Sequence, residues 1–347
     1  MQKIFYKGEF NMKKITKLLA FAAAGVFAIQ ATAFADFPDM PDGEIGVAIQ
    51  AAVNNGLISG YDDGLVHAEA PITRAQMATI VVRAMGAKDN SAQTFPDVAA
   101  DAWYQDAVSK SVQMGAFKGD TAGNFNPENN ITCQETYTVL ARVFQFESYD
   151  LRFQDGRVAY ATKADVSVLN SFADSSSVAD WAKDYAAAIV GNGGFKGFNG
   201  QLKGDAYITR GEFAYLMNEL IGTYVDEPGE YAAGTIDGSK SVVIRTGGVK
   251  IDGLQVNRNL IIAYSADERG VTLTNADIGL VAAVMGCADP TKDVNNLKSY
   301  VSFGGRFRDV RICAPYIFLD LAGAKMTSED YLKGCENSKI SLGMIGG

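Results

Sequence analysis

The chain contains three copies of one pattern, and this internal repeat limits the folds that it can adopt. Each copy opens with Phe-x-Asp, at Phe37, Phe95 and Phe172, and reaches an Ile-Thr pair 35, 36 and 36 residues later. A constant separation at three places indicates one structural unit used three times. A unit of this size is too small to bury a hydrophobic core alone, so we expect the three to pack into one domain.

Each unit has the pattern of a helix, a glycine-rich loop and a second helix. The second helix is predicted by a capping box, in which a threonine and a Gln or Glu three residues later satisfy each other's backbone N–H groups. Apolar residues then recur at the spacing of one helical face. The three boxes, which supply the predicted helix caps, are Thr73 with Gln76, Thr132 with Glu135 and Thr209 with Glu212.

Two of the boxes place an arginine at the first helical position, Arg74 and Arg210. The N-terminus of a helix carries partial positive charge, so a cation there is unfavourable by about 0.3–1 kcal/mol. A bound anion would reverse that preference, because free helical N–H groups and the guanidinium fork both attract carboxylate or phosphate. The alternative is an arginine that extends into water or pairs with a nearby acid. The recurrence favours an anion site.

These residues resemble the S-layer homology (SLH) family over about residues 37–222. The resemblance rests on the Phe-x-Asp openings, the tryptophan of the first helix, the glycine-rich loop and the Ile-Thr-Arg box. It implies a mostly α, pseudo-threefold domain in which three helix-loop-helix repeats form a three-pronged spindle. It also implies an exported protein that is anchored to an acidic, often pyruvylated, secondary cell-wall polysaccharide held in grooves between the repeats. Arg74 and Arg210 would then contact the acidic group.

The three repeats do not match this family pattern equally. Cys133 replaces the arginine in the second repeat, and the first repeat has Glu44 near the tryptophan position and Gln76 in place of the box glutamate, so we expect fewer than three good sites. The recurring loop lysines either add a positive contact or are simply solvated, and the tryptophans either stack on a sugar or belong to the core. The predicted polymer-binding residues are Arg74, Arg210, Lys118, Lys196, Trp103, Trp181, Gln76, Glu135 and Glu212.

The N-terminal residues predict export. Three lysines precede an apolar run from Leu18 to Ile29, and small residues follow at Ala33 and Ala35, which is typical of a signal peptide over residues 1–35, with Met12 as an alternative start. No later stretch has the length and hydropathy of a transmembrane span. We therefore expect a secreted protein of the cell wall or cell surface.

Charge and histidine content exclude several classes of function. Removal of residues 1–35 leaves 26 basic and 39 acidic side chains, a net charge of −13, which disfavours a general nucleic-acid binder. His67 is the single histidine, so a Ser-His-Asp triad or a histidine zinc site is not expected. We predict no cofactor and no metal site. Two of Cys287, Cys313 and Cys335 could form a disulfide after export, and Cys133 is predicted to be a small buried residue.

The last third of the chain has a different pattern. Residues 241–347 alternate apolar and polar side chains, and "VKIDGLQVNRNLII" aligns with "VTLTNADIGLVAAV" at a shift of 22 residues. This period favours a short parallel β-solenoid, with a β-sandwich as the alternative. The chain is thus predicted to be multidomain, with SLH repeats at 36–86, 94–146 and 171–222, linkers at 147–170 and 223–240, and an all-β C-terminal domain at 241–347.

The leading functional hypothesis is a non-enzymatic wall anchor whose β domain is a structural or adhesive module. Several weak sites on one polymer would act together through avidity. One alternative is a wall-anchored carbohydrate-active enzyme that uses Asp252, Asp277, Asp309 or Asp320 of the β domain, although the sequence pairs none of them. The other is a subunit of a surface lattice, in which the β domain self-associates.

Overall fold

The structure, a computed structural model, describes residues 37–146, 149–152, 158–161, 164–287, 300–314, 316–326, 332–333 and 339–341. The predicted signal peptide and Cys335 lie outside these residues. In the described part, no helix has both the length and the hydropathy needed to cross a membrane.

Six α-helices form three similar pairs, as the repeats predict. The second helix of each repeat packs against the first helix of the next one, so that α2 meets α3, α4 meets α5 and α6 meets α1. The pairing closes into a ring, which gives the pseudo-threefold arrangement its stability as one core. The helices are α1 Gly43–Asn54, α2 Arg74–Met85, α3 Gln105–Gln113, α4 Cys133–Val143, α5 Lys183–Gly191 and α6 Arg210–Leu220, with 3-10 turns at Val166–Ser171, Ser175–Ser177 and Asp180–Ala182.

Three backbone hydrogen bonds close the ring at its centre. The isoleucine before each capping box donates its N–H to the isoleucine carbonyl of another repeat, and each of the three distances is 3.1 Å: Ile72 to Ile208, Ile208 to Ile131, and Ile131 to Ile72. Each isoleucine is therefore both a donor and an acceptor, and all three are buried. Removal of one repeat would leave a buried donor and a buried acceptor unpaired, which is costly.

The same segments cap the second helices. All three capping boxes form in full, with the threonine side chain accepting the N–H of the Gln or Glu and that side chain accepting the N–H of the threonine. The next repeat in the ring satisfies two more donors: Arg74 N–H bonds Asn129 O and Ala75 N–H bonds Pro127 O, both at 2.9 Å. Cys133 and Arg210 have equivalent partners, Ala206 O and Ala70 O. The expectation of free N–H groups at these helix ends is therefore wrong.

An aspartate near the start of each repeat holds the loop of that repeat. Asp97 accepts the N–H groups of Phe125 at 2.9 Å and Asn126 at 2.6 Å. Asp39 accepts those of Val66 and His67, and Asp174 those of Leu202 and Lys203. The sequence suggests turn or cap residues here, but the aspartates instead bind backbone about 28 residues ahead. The constant separation from Phe-x-Asp to Ile-Thr is set by this contact.

Replacement of Asp97 by alanine should destabilise the protein, because the N–H groups of Phe125 and Asn126 lose their acceptor. We expect the free energy of unfolding to fall by about 1–3 kcal/mol. Thermal or urea denaturation measures this change. Asp101→Ala is the matched control, since Asp101 is an exposed carboxylate of the same repeat, and equal effects of the two substitutions would contradict the assignment.

The C-terminal region is a parallel β-solenoid, as the 22-residue repeat predicts. Every described strand pair of this sheet is parallel. Val249 pairs with Val271, Ile251 with Leu273, Val256 with Ile278 and Ile262 with Val284, which is the alignment read from the sequence. The β-sandwich alternative is wrong. The strands are β3 Ile221–Val225, β4 Gly229–Tyr231, β5 Ser241–Ile244, β6 Val249–Asp252, β7 Gln255–Val256, β8 Leu260–Ile262, β9 Val271–Val284, β10 Tyr300–Ile312, β11 Phe318–Met326, β12 Leu332–Lys333 and β13 Lys339–Ser341.

The two predicted linkers contain regular structure. The segment 223–240 includes most of β3 and all of β4, and β3 begins at Ile221, directly after the last residue of α6. The prediction of a linker there is wrong, because its few apolar residues already pair with the first solenoid strands. The segment 147–170 contains an antiparallel hairpin, β1 Tyr149–Arg152 and β2 Val158–Ala161, followed by a 3-10 turn that packs against α5.

The solenoid packs directly on the helical domain. In β5, Val242 and Ile244 face the solenoid interior, whereas Val243 between them belongs to the helical core, and Ile261 of β8 does the same. A strand that is buried on both faces has no polar alternation, which explains the continuous apolar runs in these strands.

Polar side chains of the solenoid bind the carbonyl groups at the C-terminal ends of the helices. Arg245 donates to Asn55 O at 3.0 Å and Arg258 to Asn192 O at 2.7 Å. Asn259 donates to Phe144 O and Gln145 O, and Lys240 to Asn218 O. Cations are favourable at helix C-termini because they offset the helix dipole. The two regions are therefore one body.

Substitution of Asn259 by alanine tests this joint. Asn259 is 1% exposed and also accepts the N–H of Val281 through its Oδ1 atom. Its loss removes the donor to the carbonyl of Phe144, the residue that caps α4, and the acceptor of the Val281 N–H, while Gln145 O keeps its bond from Arg311. We expect the free energy of unfolding to fall by about 1–3 kcal/mol in a denaturation experiment. The exposed neighbour Asn257 provides the control: Asn257→Ala should change stability by no more than about 0.5 kcal/mol.

Candidate functional site

A cleft on repeat 1, which we call groove 1, is built from all three repeats. It has a volume of about 260 Å³. Its floor is the loop 57–62 and the outer face of α2, while repeat 3 supplies Arg210 and repeat 2 supplies Trp103. The ring order explains this composition, because α6 meets α1 and α2 meets α3. The remaining lining residues of α2 are Gln76, Thr79, Ile80 and Arg83.

Arg210 reaches from repeat 3 into the loop of repeat 1. The residue is 7% exposed, its Nη2 donates to Ser59 O, and its guanidinium lies 4.9 Å from the centre of the Tyr61 ring. Its Nε has no acceptor among the described residues. Burial lowers the pKa of Arg210 and Tyr61 opposes this shift, whereas the positive charge of Arg83 lowers the pKa further. Groove 1 therefore brings two cations together.

Gln76, the capping-box partner of Thr73, is an uncharged residue in the lining of groove 1. Its Oε1 accepts the N–H of Thr73 at 3.0 Å, and its Nε2 donates to the hydroxyl of Tyr61 at 3.1 Å. A glutamate at this position would place a carboxylate beside the two arginines. Glutamine leaves their charge available, with only the exposed Asp62 as an acid in the lining.

Both predicted tryptophans lie at the surface. Trp103 is 65% exposed and Trp181 is 56% exposed. The alternative that they belong to the core is wrong: both precede the helices α3 and α5, which bury other residues, such as Val108 and Ile189. Trp103 borders groove 1, and Trp181 lies in the 3-10 turn that packs against α4 of repeat 2. Exposed indole rings beside a cleft are suited to stacking on a sugar.

Groove 2 is the equivalent region of repeat 2, between α4, its loop and Arg74 from repeat 1. The Nε of Arg74 donates to Phe125 O at 2.9 Å and its Nη2 to Lys118 O at 3.3 Å. The guanidinium lies over Phe117 and Phe125. Burial lowers the pKa of Arg74, whereas the charge of Glu135, 3.9 Å away, opposes that shift. Arg74 thus has a carboxylate nearby, unlike Arg210.

Groove 3, on repeat 3, has the opposite charge. It is a cleft of about 300 Å³ lined by Glu44, Glu69 and Glu212, with Lys203 as its one cation. Lys203 is already paired with Glu212 at 2.6 Å. Glu44 and Ile45 lie where groove 1 has Trp103, and Cys133 is the residue that takes the arginine position. Two of the three departures from the family pattern, Glu44 and Cys133, therefore converge on one groove, whereas the third, Gln76, lies in groove 1.

The predicted residues thus separate into three sets. Arg210, Gln76 and Trp103 meet in groove 1, Arg74 and Glu135 in groove 2, and Glu212 lies in groove 3 without an arginine. Lys118 and Lys196 are exposed in the loops of repeats 2 and 3. Sequence reasoning missed Tyr61 and Arg83. The recurrence of arginine ten residues after Thr73 and Thr132, at Arg83 and Arg142, is a signal that could have identified the second of these.

Comparison with known proteins agrees with this architecture. The family described as "S-layer homology domain" matches residues 34–78, 94–135 and 171–214. The chain carries three S-layer homology domains. A surface-layer 125 kDa protein of Lysinibacillus sphaericus is 35% identical over 178 residues, which is 50% of this chain and 14% of that protein.

Other relatives with S-layer homology differ widely in their names. A cellulosome-anchoring protein of Acetivibrio thermocellus is 29% identical over 47% of this chain and 35% of its own length. An amylopullulanase of Thermoanaerobacterium thermosulfurigenes is 24% identical over 58% of this chain and 11% of its own length. The match covers between 11% and 35% of the length of these relatives, so their whole activities do not transfer with it.

The aspartates of the solenoid next to the S-layer homology domains all have structural partners. Asp252 binds Thr274 and Asn275, Asp277 pairs with Arg306, Asp309 with Arg311 and Asp320 with Tyr300. None of these partners is a second carboxylate. The arrangement expected for glycoside hydrolysis, two facing carboxyl groups, is not formed by these four residues.

Cysteine chemistry in the S-layer homology region is suppressed by burial. Cys133 is fully buried, and desolvation raises the pKa of its thiol to about 12. Cys133 and Cys287 are free thiols, so neither takes part in a disulfide here. Cys335 lies outside the described residues.

The thiol of Cys133 should resist alkylation in the folded protein. At pH 8 a thiol with this pKa is ionised to the extent of about 10⁻⁴, and the reagent also has no path to it. Iodoacetamide followed by mass spectrometry of the peptide that contains Cys133 should show little label until the chain is unfolded in guanidinium. Labelling of the native protein at the rate of the denatured one would contradict the burial.

Proposed function

We propose that this protein is held at the cell wall by its S-layer homology domains, which bind an acidic, pyruvylated wall polysaccharide in grooves 1 and 2. The coarser part, anchoring at the cell surface, is supported by the family match and by relatives named as surface-layer, cell-wall and cellulosome-anchoring proteins. The finer part, an acidic ligand, rests on the chemistry of groove 1.

The observation that carries the proposal is the uncompensated positive charge of groove 1. Arg210 is desolvated, lies near Arg83 and has carbonyl and aromatic partners rather than a carboxylate. An anion in the cleft would offset both the lost solvation and the repulsion between the two guanidinium groups. Each charge-assisted hydrogen bond contributes about 1.5–3 kcal/mol. The overall charge of the protein is negative, so this attraction is local.

Trp103 provides the second element of recognition. Its ring is exposed beside the two arginines, so a sugar can stack on the indole while its acidic substituent reaches the cations. Groove 2 offers Arg74, although Glu135 weakens its attraction for an anion, and Trp181 lies in the 3-10 turn that packs against α4 of the same repeat. Two such sites on one polymer would multiply weak affinities into stable attachment.

The solenoid is proposed to be the outward structural or adhesive module of this anchor. Its direct packing on the helices supports a role as a rigid extension rather than a tethered enzyme. Assembly into a surface lattice remains a second candidate, favoured by the surface-layer names among the relatives.

Sedimentation with purified sacculi tests the proposal. The chain from Asp36 onward is used whole, because the helices and the solenoid share a core. Trp103→Ala and Arg83→Gln change exposed residues of groove 1, and each should weaken binding by about tenfold, the equivalent of roughly 1.4 kcal/mol.

The control is Tyr207→Ala, which removes an exposed aromatic ring that does not line groove 1 or groove 3. It should bind as the unchanged protein does. Equal sedimentation with sacculi stripped of their secondary polymer, or full binding by a Trp103→Ala and Arg83→Gln double variant, would overturn the proposal.

A further inference from the structure

Groove 3 lacks an arginine, and a side chain one helical turn later takes up contacts of the same kind. Cys133 is the first residue of α4, and Tyr137 follows it by four residues, which places both on one face of the helix. Tyr137 is fully buried, although it is among the largest side chains in the repeat.

The contacts of Tyr137 match those of Arg74. Arg74 donates to Phe125 O and lies over the ring of Phe117. Tyr137 donates its hydroxyl to Leu202 O, and its ring centre lies 6.0 Å from that of Phe195. Phe125 and Leu202 are equivalent, because the aspartate of each repeat binds their N–H groups. Phe117 and Phe195 precede the equivalent loop lysines.

The other two repeats show the complementary choice. Where the first helical residue is Arg74 or Arg210, the residue four positions later is Ala78 or Ala214, and both alanines are buried. An arginine at the first helical position is thus accompanied by a small residue four positions later, and the cysteine by a large one. A well-packed core has room for one large side chain at this place and not for two.

We infer that Tyr137 has taken the structural place of the box arginine, and that groove 3 therefore does not bind the acidic polymer. The tyrosine supplies the buried hydrogen bond and ring contact but no charge, and the lining of groove 3 carries three glutamates against one lysine. Grooves 1 and 2 are left as the two binding grooves of each chain. The inference that groove 3 does not bind polymer rests on the proposed function. The inference that Tyr137 replaces the arginine in the structure does not depend on it.

A double-mutant cycle tests the exchange in the whole chain. Cys133→Arg alone adds a second large side chain to an occupied site, and Tyr137→Ala alone leaves a cavity. Each should raise the unfolding equilibrium constant by roughly tenfold or more. In the double variant the new arginine occupies the space that the tyrosine vacates. Its unfolding equilibrium constant should therefore be at least about tenfold lower than the value obtained by multiplying the two single effects. Additive effects would overturn the exchange.

Grooves 1 and 2 supply the matched control for the cycle. Ala214→Tyr and Ala78→Tyr add a tyrosine beside an arginine that is already in place, and both should destabilise the protein as Cys133→Arg does. A tyrosine that is accommodated beside Arg210 or Arg74 without loss of stability would show that the two side chains do not compete for one site.

Sacculus sedimentation tests the exclusion of polymer. A Glu44→Ala and Tyr215→Ala double variant alters the lining of groove 3 and should bind within about twofold of the unchanged protein, whereas Trp103→Ala in groove 1 weakens binding about tenfold. Equal losses from the two grooves would overturn the exclusion. Absence of binding by the unchanged protein would instead reject the proposed function, and the stability cycle would still decide the role of Tyr137.

Discussion

The three hydrogen bonds between isoleucine backbones hold this molecule together in a way that no single repeat can. Each repeat donates to one neighbour and accepts from the other, so the ring forms only when all three are present. The following N–H groups of each second helix are satisfied by loop carbonyls of the next repeat. Arg74 and Arg210 therefore do not form anion sites together with free N–H groups at the helix ends. Their largely buried side chains extend into a neighbouring repeat and contribute to the groove found there.

Local and periodic features were predictable from the sequence. The capping box at Thr73 and Gln76 is a contact over three residues, and the pairing of Val249 with Val271 follows from a repeat that stacks on itself. The order of the repeats in the ring was not predictable, because it depends on packing between distant segments. For that reason the sequence could not show that Trp103 and Arg210 both serve the groove of repeat 1.

The same limit explains the errors. The segment after Gly222 has the composition of a linker, yet β3 and β4 are held by parallel pairing with β5 and β6, which only the folded chain supplies. The departures at Glu44 and Cys133 lie in different repeats of the sequence. In the ring they meet in one groove, whose lining carries three glutamates and Lys203 as its one cation. The same backbone fold, repeated three times, thus forms clefts of opposite charge.

The direct passage from α6 into β3 has a mechanical consequence. Leu220 ends the helix and Ile221 begins the strand, so no slack chain separates the two regions. A pull applied to the outer end of the solenoid loads α6 at once, and α6 begins with Arg210, the side chain buried in groove 1. Because the solenoid also binds the C-terminal ends of α1, α4 and α5, tension on it would be shared by these helices as well as by α6.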